Sequence, residues 1–310
     1  MDFSRIAHEL VETAYEGIVA DKAFDHVVRG LNRLNMGGVT SFMFMNPNSL
    51  EAGLAATVGM SAEAIALYEA EYSREDPGVP WLSRIAAGGR LTLNEFVPKD
   101  QLVKSRYYNE YARKQILDTR NYHTIATTDQ RVQTAVGIMT CNMAYRYEER
   151  VSDGVERMLG LLQPHLKRVM ALRQQRRAVE VNLFVDMVHG LKQPSALLAL
   201  DGRVLSLNAA AETAVTIARA GGLYRPQPGP AQVDVETLSD LARSMVASER
   251  VSVRRAVPDG AGRPMWLNAV RLGGQSHRIS LVEARYLGTS VPAVFITLEP
   301  WRVVPFRRPG

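Results

Sequence analysis

The sequence has a single cysteine among its 310 residues, which excludes an intrachain disulfide framework and a multi-cysteine metal site. It has no apolar run of membrane-spanning length, since charged or polar residues interrupt every candidate. The first residues, MDFSRIAHELVE, carry charged side chains instead of an uninterrupted apolar stretch, so they are not a secretory signal. From these absences we expect a cytoplasmic protein that does not enter a membrane.

Catalytic motifs are missing as well. The chain contains no G-x-S-x-G elbow, no phosphate-binding glycine loop, no H-E-x-x-H pair and no dinucleotide fingerprint. No pair of carboxylates stands out beside a plausible base, and the glycine pairs at 37–38, 88–89, 221–222 and 273–274 fall where turns are needed. The sequence therefore predicts a protein that is not an enzyme and that holds neither a cofactor nor a metal.

The composition is typical of a folded and mildly basic protein. Hydrophobic residues make up 46% and charged residues 22% of a chain that is long enough for two ordinary domains. The net charge is +5, and arginines cluster at 173–177 and 302–308. Such clusters suit either a solvated surface or contact with nucleic-acid phosphates, and the sequence leaves both interpretations open.

The first segment, residues 1–151, alternates helical and strand patterns. Apolar residues at helical spacing predict helices over 3–14 and 21–34, and Ser61 is placed to cap a third helix. Strands are predicted over 39–45 and 54–58, with a closing hairpin over 124–128 and 132–141. These elements predict an α+β fold, similar to the GAF-like (autoinducer-binding-like) α/β/α sandwich that senses ligands.

A long helical pattern follows over residues 152–191. Ser152 is placed to cap this helix, apolar residues recur at steps of three and four, and Pro164 is expected to kink it. A helix between two domains suits the interface of a homodimer, although the arginine-rich stretch 173–177 interrupts the apolar stripe. The alternative is that each half of the helix covers its own domain.

The stretch from Leu198 to Ala214 is typical of a strand, a turn, a second strand and a helix. Asp201-Gly202 is a strong hairpin signal because glycine adopts positive φ at no steric cost, and Asn208 is placed to cap the helix. This stretch resembles the opening of a PAS domain, a small sensory fold. A helix over 235–248 and strands over 251–257, 265–272, 277–284 and 293–298 complete a predicted PAS-like domain over 192–300, followed by a tail over 301–310.

Four segments in the same order resemble a group of LuxR-type bacterial transcription regulators. They are Glu75-Asp76-Pro77, the run Ser105–Glu110, the run Leu161–Arg168 and the PAS-like opening. The resemblance implies GAF-like and PAS-like sensory domains ahead of a C-terminal helix-turn-helix. The tail contains Pro305 and Pro309 and is not expected to form two packed helices. Contact with DNA is therefore expected only through a helix-turn-helix that is absent from this sequence.

An aromatic cluster is the best candidate for a ligand site. It consists of Tyr68, Tyr72, Asp76 and Trp81, and pockets for small signals are mostly apolar and aromatic. The resemblance implies the arrangement in which autoinducer-binding domains surround an acyl-homoserine lactone, with the aspartate accepting from its amide N–H. The alternative is a helix that packs its aromatics into the core, with Asp76-Pro77 as the turn that ends it.

A second group of residues is predicted to form the opposite wall of that pocket. Tyr107, Tyr108 and Tyr111 lie on a short predicted helix, and His123 begins a strand as a candidate polar anchor. Simple packing is the alternative for each of them. Cys141 is expected to be a buried, apolar-like residue, because a redox sensor needs an exposed thiolate of low pKa.

Together these patterns predict the sensory and dimerising module of a LuxR-type regulator. A small apolar signal bound near Tyr72, Asp76 and Trp81 would favour one arrangement of the 152–191 helix, which a C-terminal effector would detect. One alternative is a stand-alone interaction partner that forms heterodimers with full-length regulators. Another alternative is a small-molecule hydrolase on a GAF-like scaffold, which no residue of the sequence supports.

Overall fold

The computed structural model describes most of the chain and divides it into two compact units. Unit 1 comprises Met1–Arg176 and His277–Thr289, and unit 2 comprises Arg177–Ser276 and Ser290–Gly310. The described residues are 3–46, 49–82, 89–128, 136–199, 201–216, 233–248, 250–258, 264–272, 280, 282–283 and 292–300. The predicted turn at 129–130, the loop at 221–230 and the tail at 301–310 lie outside them.

Unit 1 combines helices with one antiparallel sheet. Its helices are α1 (Phe3–Glu16), α2 (Lys22–Leu34), α3 (Ala62–Ala70), α4 (Val79–Leu82), α5 (Leu93–Phe96), α6 (Lys99–Leu102), α7 (Arg113–Gln115) and the first part of α8 (Glu148–His189). Its strands are β1 (Val39–Met45), β2 (Ala52–Val58), β3 (Arg90–Thr92), β4 (Asn121–Ala126) and β5 (Val136–Met143). Short 3₁₀ turns over Tyr72–Arg74 and Tyr145–Tyr147 and a π-helix over Tyr107–Ala112 connect them.

The sheet of unit 1 has the strand order β2-β1-β5-β4-β3 and is buried on both faces. Alternate side chains of a strand point to opposite faces, so β1, β2, β4 and β5 each contribute to two cores. Phe42, Cys141 and Ile125 face the core formed with α1, α2 and α8. Met43 and Tyr122 face a second, aromatic core. Every residue of strands β1, β4 and β5 is buried, because neither face of these strands is in contact with solvent.

Cys141 lies in the first of these cores, as expected. Its thiol is buried and receives a hydrogen bond from Thr40 Oγ1 at 3.7 Å. Burial raises the pKa of this thiol to about 12, because a thiolate would lose its hydration in this environment. The side chain therefore packs as a small apolar residue and lacks the accessible thiolate that a redox sensor requires.

Helix α8 begins earlier than the sequence predicts. It runs from Glu148 and continues through Pro164, whose ring lies on an exposed side of the helix. The prediction that Ser152 caps the helix is wrong, because the 3₁₀ turn Tyr145–Tyr147 already starts it. Ser152 Oγ instead lies 2.8 Å from His123 Nε2 of strand β4. A tertiary hydrogen bond thus uses the hydroxyl that the local pattern assigns to a cap.

A buried ionic cluster around Arg173 closes one side of unit 1. The guanidinium is 1% exposed and donates to Glu283 Oε1 at 2.7 Å, to Asp21 Oδ1 at 2.5 Å and to the Gly17 carbonyl at 2.8 Å. A buried charge needs such partners, since leaving one member unpaired costs roughly 3–5 kcal/mol. Arg173 therefore belongs neither to a solvated surface nor to an exposed phosphate-binding patch.

The same cluster corrects one predicted strand. Residues 277–284 alternate in a way that predicts a strand, but Ser280, Val282 and Glu283 are helical and belong to unit 1. Val282 packs into the core that faces α8, and Glu283 pairs with Arg173. Burial of one apolar side chain and one ion pair outweighs the local strand preference here.

Unit 2 contains the rest of α8 and a second antiparallel sheet. Its helices are α9 (Ala209–Ala214) and α10 (Val235–Ala247), and its strands are β6 (Ser195–Ala199), β7 (Val204–Leu207), β8 (Val215–Thr216), β9 (Val233–Asp234), β10 (Ser252–Pro258), β11 (Pro264–Arg271) and β12 (Pro292–Pro300). The sheet order β10-β11-β12-β6-β7 repeats the connectivity of unit 1, with the last strand in the middle. The predicted α+β class is confirmed, whereas the PAS-like assignment and the predicted domain boundaries stay predictions.

The hairpin and cap predicted at the start of unit 2 are confirmed. Gly202 has φ +83°, and Ala199 exchanges backbone hydrogen bonds across the turn with Gly202 and Arg203. Asn208 Oδ1 accepts from the amides of Ala211 at 2.9 Å and Ser195 at 3.1 Å. Its Nδ2 also donates to two carbonyls of the chain that follows α8. One buried side chain therefore joins three segments.

No helix in the described part of the chain is long and apolar enough to cross a membrane.

The hydrogen bonds of Asn208 predict a large loss of stability when its side chain is replaced by a methyl group. We expect Asn208→Ala to lower the free energy of unfolding by about 1–3 kcal/mol, since it removes the acceptor of two buried amides, those of Ala211 at the helix N-terminus and Ser195. Urea denaturation followed by circular dichroism measures the change. Glu212→Ala, an exposed substitution in the same helix, should change stability by less than about 0.5 kcal/mol. Equal effects of the two substitutions would contradict the role of Asn208.

Candidate functional site

A cavity lies in unit 1 on the aromatic face of the sheet. The side chains that line it are Ser41, Met43, Leu54, Met60, Tyr68, Asp76, Tyr107, Tyr111, Ile116, Tyr122, Thr140 and Asn142. The space between them totals about 400 Å³ including its open mouth, and about 30 Å³ of it admits the centre of a water molecule. The cavity is therefore narrow, with a predominantly apolar and aromatic wall and a few polar groups.

The Asp76 carboxylate lies at the centre of the polar part of this wall. Its Oδ1 accepts from the Gly78 amide at 2.9 Å and from Tyr122 Oη at 3.2 Å. Its Oδ2 accepts from Tyr68 Oη at 3.3 Å, and the Tyr107 hydroxyl also interacts with it. The carboxylate is 6% exposed, so these donors replace the hydration that it loses on burial.

The local chain path explains how Asp76 reaches this position. After α3, the 3₁₀ turn Tyr72–Arg74 leads to a backbone hydrogen bond from the Asp76 amide to the Tyr72 carbonyl at 2.9 Å. The carboxylate then folds back on the amide two residues ahead, as aspartate does in tight turns. Gly78 is required by close approach, because a Cβ there would come within 1.5 Å of Tyr122 Oη.

Burial sets the protonation of the cluster. It raises the pKa of Asp76, although hydrogen bonds from Gly78 and the tyrosines oppose part of that change. Burial, and then the neighbouring Asp76 charge, raise the pKa of Tyr68, Tyr107 and Tyr122 well above the usual value for a phenol. These hydroxyls therefore remain protonated near neutral pH and serve as hydrogen-bond donors.

A π-helix supplies two of the four tyrosines. Its wider turn spans Tyr107–Ala112 and places Tyr107 and Tyr111 with ring centroids 5.7 Å apart. Tyr111 Oη donates to the Ala64 carbonyl of α3 at 3.1 Å, which ties the π-helix to the opposite wall. π-Helical turns are rare in proteins, and those that occur are often found at functional sites. This π-helix therefore supports the interpretation of the cavity as a functional site.

Hydroxyl groups form a row on the floor of the cavity. Strand register places Ser41 of β1 beside Thr57 of β2 and Thr140 of β5, and Thr140 beside Thr124 of β4. The Ser41 and Thr57 hydroxyls lie 2.9 Å apart, and those of Thr124 and Thr140 lie 3.0 Å apart. Ser41 and Thr140 line the cavity, so the floor offers a ligand polar contacts as well as apolar ones.

Half of the predicted site residues line the cavity, and the other half lie outside its wall. Tyr68, Asp76, Tyr107 and Tyr111 line the cavity together. Tyr72, Trp81, Tyr108 and His123 do not.

Three of these four side chains have other partners within unit 1. The Tyr72 ring stacks on Tyr111 at 5.2 Å, and its hydroxyl donates to Glu110 at 2.9 Å. Trp81 packs against Phe96 with ring centroids 5.2 Å apart. Tyr108 donates to Asp118 and receives a hydrogen bond from Arg120 at 3.0 Å.

His123 faces the other side of the sheet. Its Nδ1 lies 3.0 Å from Thr92 Oγ1 and its Nε2 lies 2.8 Å from Ser152 Oγ of α8. Burial lowers its pKa, which favours the neutral imidazole in this polar contact between sheet and helix. It is therefore not a ligand anchor at the cavity, because alternation in β4 directs its neighbour Tyr122 there instead.

Sequence reasoning missed several residues of the cavity wall. Tyr122, Ser41, Thr140 and Asn142 all lie on strands and point to the same face of the sheet. Period-two spacing puts residues 41 and 43 on one face, and likewise 140 and 142, but every position of these strands is buried, so the sequence does not show which face lines a cavity. The described residues hold no group of three or more His, Cys, Asp or Glu side chains that could bind a metal ion.

Comparisons with known proteins give structural similarity alone. A scan against models of protein families gives no match, and a search of curated proteins gives none either. Solved structures that resemble the chain include the VqsR ligand-binding domain from Pseudomonas aeruginosa, with a TM-score of 0.42 and 15% identity, covering 54% of this chain and 96% of that one.

Two further structures also resemble the chain. The GAF domain of a phosphoenolpyruvate-protein phosphotransferase from Coxiella burnetii has a TM-score of 0.41 and 16% identity, covering 57% of this chain and 98% of that one. Bacteriophytochrome RpBphP3 from R. palustris has a TM-score of 0.30 and 11% identity, covering 97% of this chain and 65% of that one. At these TM-scores and identities we draw no conclusion about this chain from the similarities.

The buried carboxylate predicts a specific dependence of stability on pH. Its raised pKa means that the folded protein holds the proton more tightly than the unfolded chain, whose value is near 3.8. The contribution of Asp76 to the free energy of unfolding is therefore largest below pH 3.8 and falls as the pH rises through the folded pKa. We expect the stability of Asp76→Asn relative to the native protein to increase over that range.

Urea denaturation at a series of pH values measures this difference. Asn109→Ala, which replaces an exposed residue without a titratable group, should differ from the native protein by an amount that does not change with pH. A difference for Asp76→Asn that stays constant or decreases as pH rises would show that burial does not dominate the titration of this carboxyl.

Proposed function

We propose that unit 1 is a sensory domain that binds a small, uncharged and mostly apolar signal molecule in the tyrosine-lined cavity. The observation that carries this proposal is the narrow cavity itself, which combines four aromatic rings with a few fixed polar groups. Natural ligand pockets have this composition, since apolar walls supply affinity and convergent polar groups supply orientation. The tyrosine hydroxyls are already ordered by Asp76 and Ala64, so binding would require little rearrangement of the wall.

Binding is favoured over catalysis by the state of the polar groups. The lining residues include neither histidine nor cysteine, and Asp76 is already engaged by phenols and by the Gly78 amide. Their raised pKa values keep the phenols protonated, so they are poor bases and poor nucleophiles near neutral pH. We therefore favour a receptor over a hydrolase for this cavity.

Strand β5 supplies a route from the cavity to α8. Thr140 and Asn142 face the cavity, whereas the alternate residues Met139, Cys141 and Met143 pack in the core that contains α8. A ligand that shifts the balance between two packings of this strand would change the environment of α8. In a LuxR-type regulator, an effector such as a helix-turn-helix would detect that change and contact DNA.

The later part of α8 offers a surface for a second copy of the chain. Val179, Leu183 and Met187 are 58%, 64% and 44% exposed, and they recur at steps of four residues. Such a stripe of exposed apolar side chains on a helix is typical of a helix–helix interface. We propose a homodimer that joins through this stripe; the alternative is a heterodimer with a related, full-length regulator through the same surface.

Native mass spectrometry of the freshly purified protein tests the proposed ligand binding. We expect a small organic molecule to be carried by the native protein and to be lost in Ser41→Leu, which fills the floor of the cavity. Ser4→Leu, on the exposed side of α1, is the matched control and should retain the molecule. An empty native protein that also fails to bind small aromatic compounds would argue for a pure interaction module.

Sedimentation equilibrium tests the dimer separately. Leu183→Lys places a charge in the middle of the exposed stripe and should raise the dimer dissociation constant at least about tenfold, since a buried unpaired charge opposes association. Val19→Lys replaces a residue that is 65% exposed in unit 1 and should leave the constant unchanged. A native protein that is monomeric at high concentration would overturn the interface.

A further inference from the structure

The side-chain amide of Asn142 borders the cavity and has no hydrogen-bond partner among the described residues. Asn142 is 8% exposed and lines the cavity from strand β5. Its backbone carbonyl accepts from Asn35 Nδ2 at 2.9 Å, but its side-chain amide makes no hydrogen bond to any residue that the structure describes. Since Asn142 lines the cavity and no described residue engages its amide, that amide is available to hydrogen-bond a ligand or a water molecule there.

Asp76 is in the opposite state. Its two oxygens already accept from Tyr68, Tyr122 and the Gly78 amide, and Tyr107 adds a further interaction. A ligand N–H could reach this carboxylate only by displacing one of these donors, which would then lose its own partner in a buried site. Asp76 therefore acts as a positioning residue that holds the phenols in place.

The lining also restricts the chemistry of the ligand. Asp76 is the one charged side chain among the described residues that line the cavity, so an anion would meet repulsion there without a cationic partner. The tyrosine rings and the narrow space between them suit a planar, aromatic or unsaturated body. The amide of Asn142 offers a carbonyl acceptor and two N–H donors, which are matched by a group that presents a donor and an acceptor side by side.

From this geometry we propose that Asn142 is the residue that recognises the ligand, and that the ligand is a planar, uncharged molecule bearing a carboxamide or lactam group. The Ser41 and Thr140 hydroxyls lie on the same floor and complete the polar surroundings of that group. The inference rests on the proposed function of the cavity, but it assigns recognition to a residue other than the aspartate that the sequence pattern favours.

Two small probes of similar shape test the assignment. Benzamide carries the proposed group on a planar ring, and toluene has the same ring without it. Each is titrated into the ¹⁵N-labelled full chain while the side-chain NH₂ resonance of Asn142, assigned by its loss in Asn142→Leu, is followed. We expect benzamide to bind at least about tenfold more tightly than toluene and to shift that resonance.

Two variants separate the roles of the polar residues. Asn142→Leu should weaken benzamide at least about tenfold and change toluene binding less than about threefold, because it removes the polar partner and keeps an apolar wall. Asp76→Asn should affect both probes alike, because it disturbs the phenols that shape the cavity. Asn109→Leu, an exposed asparagine of the π-helix, should have no effect on either probe.

The outcomes distinguish the inference from the proposed function. If toluene and benzamide bind equally, or if the benzamide preference is lost in Asp76→Asn and kept in Asn142→Leu, the assignment of Asn142 is overturned while the cavity remains a binding site. If neither probe binds and Ser41→Leu likewise makes no difference to bound molecules, the binding function and this inference fall together.

Discussion

Burial of both faces of the sheet in unit 1 is the constraint on which the rest of its structure depends. Strands β1, β2, β4 and β5 each supply one set of side chains to the core against α8 and another to the face that bears the tyrosine-lined cavity. A polar residue is tolerated in such a strand only where it finds a partner or borders a cavity. The hydroxyl row and Asn142 satisfy this condition on one face, and His123 satisfies it on the other through Thr92 and Ser152.

Elements fixed by local chemistry were predictable from the sequence. Strand β1 has the predicted bounds, Ser61 caps α3, and the Asp201-Gly202 turn and Asn208 cap occur where the pattern places them. The predictions that are wrong concern segments whose conformation is determined by tertiary contacts. The 277–284 segment is drawn into unit 1 by a buried ion pair, and Ser152 is used by a histidine instead of by a helix end.

The candidate site was predictable in part for the same reason. Two sequence segments supply Asp76 and the three predicted tyrosines of the wall, Tyr68 from one and Tyr107 and Tyr111 from the other, but neither segment shows which rings face inward. Tyr72 and Tyr108 are buried beside the cavity without lining it. Tyr122 and Asn142 come from strands whose apolar runs hide the alternation, because both faces are covered and hydropathy does not distinguish them.

The shared connectivity of the two sheets has a consequence for how the chain acquires its structure during synthesis. In each sheet the last strand made, β5 or β12, inserts between strands that were made earlier. Until β12 leaves the ribosome, β6-β7 and β10-β11 are two separate hairpins with open edges, which on their own are marginally stable. The centre of each sheet is thus completed last, and the nascent chain carries unpaired strand edges until that moment.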